Sequence, residues 1–173
     1  MDNHPRILIP YKFETGGAMI SLGAGIDPSD QVFSFTADGS KETLHFHIPK
    51  LRRLAKTNLR AAPEDLNGAA RLDYSFACRK TIDKVLAAHI IARNGVEMEY
   101  VRRMTRATQE PGLICMFDER PKADYGVDFT EVVADGNHRL VWRVIRGHTE
   151  MDFIMIPEPI WKATLLDFSL RLL

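Results

Sequence analysis

The chain has 173 residues, 45% hydrophobic and 27% charged, with 23 basic and 23 acidic side chains that give a formal net charge of zero. A chain of this length fits a single domain that buries roughly 70% of the surface its unfolded form exposes, so it needs neither disulfides nor a structural metal to fold. The composition excludes a disordered chain, and the neutral total gives no overall electrostatic pull toward nucleic acid.

The N-terminal segment leads into an apolar stretch, Ile7 to Pro10, too short for a signal peptide. Ile7 to Phe13 and Ala18 to Leu22 read as short strands around Thr15-Gly16-Gly17, and Gly23 to Asp30 as a loop. Val32 to Ala37 and Lys41 to Ile48 flank Asp38-Gly39, which tolerates the positive φ of a tight hairpin turn. On the second of these strands Leu44, Phe46 and Ile48 alternate with Thr43, His45 and His47, so one face is apolar and the two histidines share the other. Pro49 stops the strand and suits the first turn of a helix predicted to Leu59.

Pro63-Glu64-Asp65 marks a further loop, followed by a long helix predicted from Leu72 to Arg93 and closed by Asn94-Gly95. Val96, Met98 and Tyr100 alternate with Glu97 and Glu99 as a half-buried strand does. Leu113 to Phe117 has no alternation and reads as a central strand covered on both faces. Phe129 to Ala134 and Arg139 to Ile145 are predicted as a second hairpin around Asp135-Gly136, and Glu150 to Ile156 as a strand stopped by Pro157 and Pro159. Ile160 to Leu173 reads as a helix with Trp161, Leu165, Phe168 and Leu172 on one stripe, although Asp167 to Leu172 also alternates.

These elements predict a single α+β domain over residues 1–173, a mostly antiparallel sheet built from hairpins with two or three helices on one side. Gly39-x-x-Glu42-x5-Ile48-Pro49 and Gly147-x-x-Glu150-x5-Ile156-Pro157 share their spacing, which suggests a pseudo-repeat of β-β-Pro-α units over 32–60 and 139–173. No run of about 18 apolar residues occurs, so no membrane partner is expected. Cys78 and Cys115 read as small buried hydrophobes, and with them a cytoplasmic location is expected.

Charge is unevenly spread: residues 1–40 carry a net −3, 41–106 a net +7 and 107–173 a net −4. On the helix after Pro49, Leu51, Leu54, Ala55 and Leu59 share one arc while Arg52, Arg53, Lys56 and Arg60 share the next. Four cations on one face repel one another unless a partner with phosphates or carboxylates, or acids of the flanking segments, cover them. Arg102, Arg103 and Arg106 form a second basic cluster that would extend the patch if the fold brings it alongside. Arg102-x-x-x-Arg106 loosely resembles the arginine motif of bacterial cyclic-dinucleotide-binding PilZ barrels. The second motif of that family, Asp/Asn-x-Ser-x-x-Gly, is met only by Asp128-Phe129-Thr130, with Val133 at the glycine position, and no membership follows.

Phosphate loops, Gly-x-Ser-x-Gly elbows and His-Glu-x-x-His helices are absent from the sequence, and Gly23-Ala24-Gly25 leads to Pro28 where a dinucleotide fingerprint needs its third glycine. His45-x-His47 supplies two imidazoles where zinc takes at least three protein ligands, so no metal and no cofactor is assigned. The sequence reads as a non-catalytic binding or adaptor protein whose basic face meets a protein partner, a homodimer included. The alternatives are nucleic-acid binding through the Arg/Lys clusters, and a small metal-dependent or ligand-binding enzyme whose site only the fold assembles.

Overall fold

The computed structural model describes residues 7–11, 32–36, 43–94, 96–117 and 130–166. Strands β1 (Ile7–Tyr11), β2 (Val32–Thr36) and β3 (Thr43–His47) form an antiparallel three-stranded sheet. The hairpin register sets Phe33 opposite Phe46 and Ser34 opposite His45, as the alternation predicts. Its turn, with Asp38-Gly39, and the strand predicted at Ala18 to Leu22 lie outside the described residues. Helix α1 (Ile48–Thr57) follows β3 at once, with Pro49 in its first turn where no N–H is needed. Ile48, Leu51 and Ala55 are its buried stripe, and the short strand β4 (Leu59–Arg60) leaves it.

Three predicted elements change. The helix predicted over 72–93 is a strand, β5 (Ser75–Thr81), followed by helix α2 (Lys84–Arg93). Phe76 and Ile82 are both buried, so helical spacing between them was fortuitous; the real boundary is Asp83, whose carboxylate accepts the Leu86 amide at 2.8 Å as an N-cap. The strand predicted at 96–100 is helix α3 (Met98–Arg103), with Val96 and Val101 buried and Arg102 and Arg103 in the last turn, where cations suit the helix dipole. The second arm of the 129–145 hairpin is helix α4 (Asn137–Ile145), which buries Leu140 and Val141. Gly136, with φ of +92°, is the N-cap of that helix and not a hairpin turn residue. The unit over 139–173 therefore begins with a helix, and only 32–60 keeps the β-β-Pro-α order of the pseudo-repeat.

The second sheet has five strands in the order β4-β5-β8-β6-β7, where β6 is Gly112–Phe117, β7 Thr130–Asp135 and β8 Glu150–Ile156. It is mixed and not wholly antiparallel: β6 runs parallel to β8 and β4 parallel to β5, while β5–β8 and β6–β7 are antiparallel. The parallel β6–β8 pair arises because α4 carries the chain from β7 across β6 to its far side. Leu113, Ile114, Cys115 and Met116 are all buried, so β6 is covered on both faces as its unbroken apolar run predicts. Helices α2 and α3 pack on α4, and α5 (Glu158–Trp161) packs on α1. No described helix is long and apolar enough to cross a membrane. The predicted C-terminal helix is shorter, α5 giving way to a 3-10 turn at Lys162–Thr164, and 167–173 lie outside the described residues.

Both cysteines are free thiols; Cys115 is fully buried on β6 and Cys78 half-buried on β5. Burial pushes the Cys115 thiol up from its ordinary range, which suppresses the reactive thiolate. A thiol reagent is expected to modify Cys78 in the native protein and to reach Cys115 only in denaturant. Equal native rates at both positions, compared in the C78S and C115S variants, contradict this placement.

Candidate functional site

The carboxyl end of β7 and the start of α4 meet at Asp135-Gly136-Asn137, and a cleft of about 330 Å³ opens beside them. Arg52 from α1, Tyr100 from α3, Arg106 from the following loop and His138 and Arg139 from α4 line it. Glycine is required at its base. A Cβ on Gly136 would stand 3.1 Å from the Gly112 Cα and 3.2 Å from Nη2 of Arg139. Gly112 is equally constrained, since a Cβ there would meet the Phe153 ring at 2.7 Å. The close approach of β6 to the β7–α4 turn depends on both.

Asp135 organises the cations. Its Oδ2 accepts from Nη2 of Arg52 at 2.7 Å and lies 3.6 Å from Nη2 of Arg139. The Asp135 side chain is 11% exposed and the Arg52 side chain 33%, so Arg52 is held at the rim. Arg139 also donates through Nη1 to the Glu110 carbonyl at 2.6 Å and to Thr108 Oγ1 at 3.0 Å. Arg143 donates to the Thr108 carbonyl at 3.0 Å, and the Trp142 indole to the Met104 carbonyl at 3.0 Å. One face of α4 thus fastens the loop that carries Arg106. Arg106 itself is exposed and forms no ion pair among the described residues.

Asn137 and His138 fix the start of α4. The buried Asn137 accepts from Asn94 Nδ2 at 2.6 Å and donates to the Val133 carbonyl at 3.2 Å. His138 Nε2 accepts the Glu97 amide at 3.2 Å, which places the proton of the neutral ring on Nδ1. The Tyr100 ring stands edge-on to His138 with centroids 5.2 Å apart. Gly136 supplies no side-chain cap, and the first turn of α4 has no acid to repel an anion. Three guanidinium groups, Arg52, Arg106 and Arg139, line one concavity with the two carboxylates Asp135 and Glu110, an excess of positive charge that can take an oxyanion through paired arginine hydrogen bonds.

No family model, no curated protein and no solved structure matches this chain. Of the cations singled out in the sequence, the fold brings Arg52 and Arg106 into the cleft. Arg53 and Lys56 lie on a shallow surface beside it that Arg52 also lines, and Lys56 donates to Glu110 at 3.2 Å. That hydrogen bond, with the nearby charge, holds the Glu110 carboxyl below the usual carboxylate range. Arg60 lies in β4 with its guanidinium 5.6 Å from the Tyr74 ring centroid. Arg102 and Arg103 are exposed on α3, and neither lines the cleft. Two of the four cations of the predicted face thus meet carboxylates of the same chain, Arg52 at Asp135 and Lys56 at Glu110.

Asp135, His138 and Arg139 join the site although the sequence reading assigned them no role, because Asp135-Gly136 reads equally well as a hairpin turn. The corrective signal is the helical spacing of Arg139, Arg143 and Arg146 against Leu140 and Val144. His45 and His47 sit on β3 outside the cleft. His45 Nδ1 is 2.7 Å from Ser34 Oγ on the neighbouring strand, and burial lowers its pKa. Among the described residues no group of three His, Cys, Asp or Glu side chains is placed to hold a metal ion.

Proposed function

We propose that this chain is a binding protein that recognises a phosphate-bearing ligand in the cleft at the start of α4. The observation that carries the reading is the convergence of Arg52, Arg106 and Arg139, from three separate segments, on the turn at Gly136. Asp135 holds Arg52 and Arg139 in place before a ligand arrives, which reduces the ordering cost of binding. Arg106 is the cation left to complete the grip. It forms no ion pair among the described residues, so its removal tests binding more than the fold.

Calorimetric titration with inorganic pyrophosphate is the direct experiment. Wild type is expected to bind, and Arg106→Ala to lose about tenfold in affinity, the scale of one charge-assisted hydrogen bond, with unchanged thermal stability. No heat of binding in the wild type, or equal affinity in both proteins, overturns the proposal.

A protein partner or a second copy of the chain is the second reading. It is supported by Val85 on α2 and Ile145 on α4, two large apolar side chains left 75% and 60% exposed on helices that pack together. Light scattering that gives a monomer at micromolar concentration would remove the homodimer.

A further inference from the structure

We propose that the phosphate-bearing ligand is a single-stranded nucleic acid, held along three adjoining concavities of which the cleft at α4 is the middle one; this rests on the phosphate reading of that cleft. Continuity comes from shared residues. Arg52 lines both the central cleft and the shallow surface of α1 formed by Pro49, Arg53, Lys56 and Thr57. Glu110, which accepts from Lys56 of that surface at 3.2 Å, lines both the central cleft and a further concavity of about 490 Å³ bounded by Arg79, Arg143, His148 and Asp152. The chain balances 23 cations against 23 acids overall, yet the three concavities together carry seven Lys and Arg side chains against four Asp and Glu. A local excess in a neutral protein fits a ligand whose negative charges are spaced along its length, since one small anion engages only the central group.

The shape favours a single strand over a duplex. Duplex DNA is stiff over roughly 150 base pairs and does not dip into successive pockets of molecular size, whereas a single strand bends at each nucleotide. Tyr100, 50% exposed at the central cleft, offers an aromatic surface on which a base can stack. The ring of His148 in the far concavity lies against Trp142, with centroids 6.3 Å apart. Acids along the track weaken binding where they meet the backbone. Asp152 is one, held ionised by the hydrogen bond from Arg79 at 2.8 Å.

The test uses the full chain and fluorescently labelled mixed-sequence strands of about ten nucleotides, within the site sizes of small single-strand-binding domains. DNA and RNA forms and the matching duplex are compared by anisotropy, with pyrophosphate followed in parallel by calorimetry. The strand is expected to bind more tightly than pyrophosphate. Arg53→Ala is expected to weaken it severalfold and reduce the slope of log affinity against log salt by about one. Asp152→Asn is expected to tighten strand binding severalfold, and neither variant to alter pyrophosphate affinity. A preference between the DNA and RNA strands supports the proposal and assigns the sugar. Pyrophosphate binding with no gain for the strand overturns the track and leaves the cleft reading intact, whereas binding of neither overturns both. A duplex that binds as tightly as the strand, or a strand affinity unmoved by both variants, also overturns the track.

Discussion

Replacing Trp161 by alanine is expected to cost about 3–5 kcal/mol of stability, the range for truncating a large buried aromatic. Trp161 is 3% exposed and sits where the two sheets meet. Its ring centroid lies 5.5 Å from that of Phe46 on β3 and 4.5 Å from that of Phe117 on β6. Its indole N–H donates to the carbonyl of the buried Met116 at 2.8 Å. Alanine removes the contacts to both sheets together, and α5 is a helix of only four residues in which Ile160 and Trp161 are the buried side chains. Trp161→Phe keeps most of the apolar area but leaves the Met116 oxygen without that donor, so a smaller loss of about 1–3 kcal/mol is expected. Urea unfolding followed by circular dichroism measures both. A loss under about 1 kcal/mol for the alanine variant, no more than an average point substitution costs, contradicts the role of Trp161 as the joint between the sheets.

The second large effect is at Gly136, where alanine is expected to damage stability and ligand binding together. At φ of +92° a side chain is conformationally strained, which costs about 1–2 kcal/mol by itself. The added methyl also meets the Gly112 backbone at 3.1 Å and the Arg139 guanidinium at 3.2 Å, and crowding of that kind costs about 1–3 kcal/mol more. Gly147 supplies the internal control. It has φ of +84° but no atom within 4 Å of an added Cβ, so Gly147→Ala isolates the backbone cost. The difference between the two variants reads the crowding at the cleft. Because the methyl displaces Arg139 and stands beside the leading amides of α4, Gly136→Ala is expected to lose at least tenfold in pyrophosphate affinity while Gly147→Ala loses none. Equal destabilisation by the two substitutions contradicts the close packing of the β7–α4 turn on β6.

The strands were most legible where local pattern and tertiary environment agree. Val32 to Ile48 alternates around Asp38-Gly39, and the hairpin pairs as the alternation requires. Leu113 to Phe117 lacks alternation because β6 is buried on both faces between β8 and β7. Elements that shift between strand and helix are those whose short apolar patterns fit two periods. Leu72, Phe76, Ile82 and Leu86 have helical spacing, yet Phe76 lies on a strand and Leu86 on a helix, separated by the cap at Asp83. Asp135-Gly136 serves a hairpin or a helix start, and only the buried stripe Leu140–Val141 decides between them. The candidate site was half legible for the same reason. Local clustering marks Arg52 and Arg106, but Asp135 and Arg139 acquire their role from a helix start at Gly136 packed against Gly112. The expected open cationic face on α1 is instead interrupted by Asp135 and Glu110, contacts across 83 and 54 residues of sequence that no local pattern reveals.

Titration of 15N-labelled protein with inorganic phosphate tests the proposal that the start of α4 holds phosphate. Saturable shifts are expected, centred on the backbone amides of Asn137, His138 and Arg139 and on the side-chain resonances of Arg52 and Arg106, with the amides of β3 unmoved. Shifts absent up to high millimolar phosphate, or centred on Arg60, Arg102 and Arg103 and missing from the α4 amides, would contradict it.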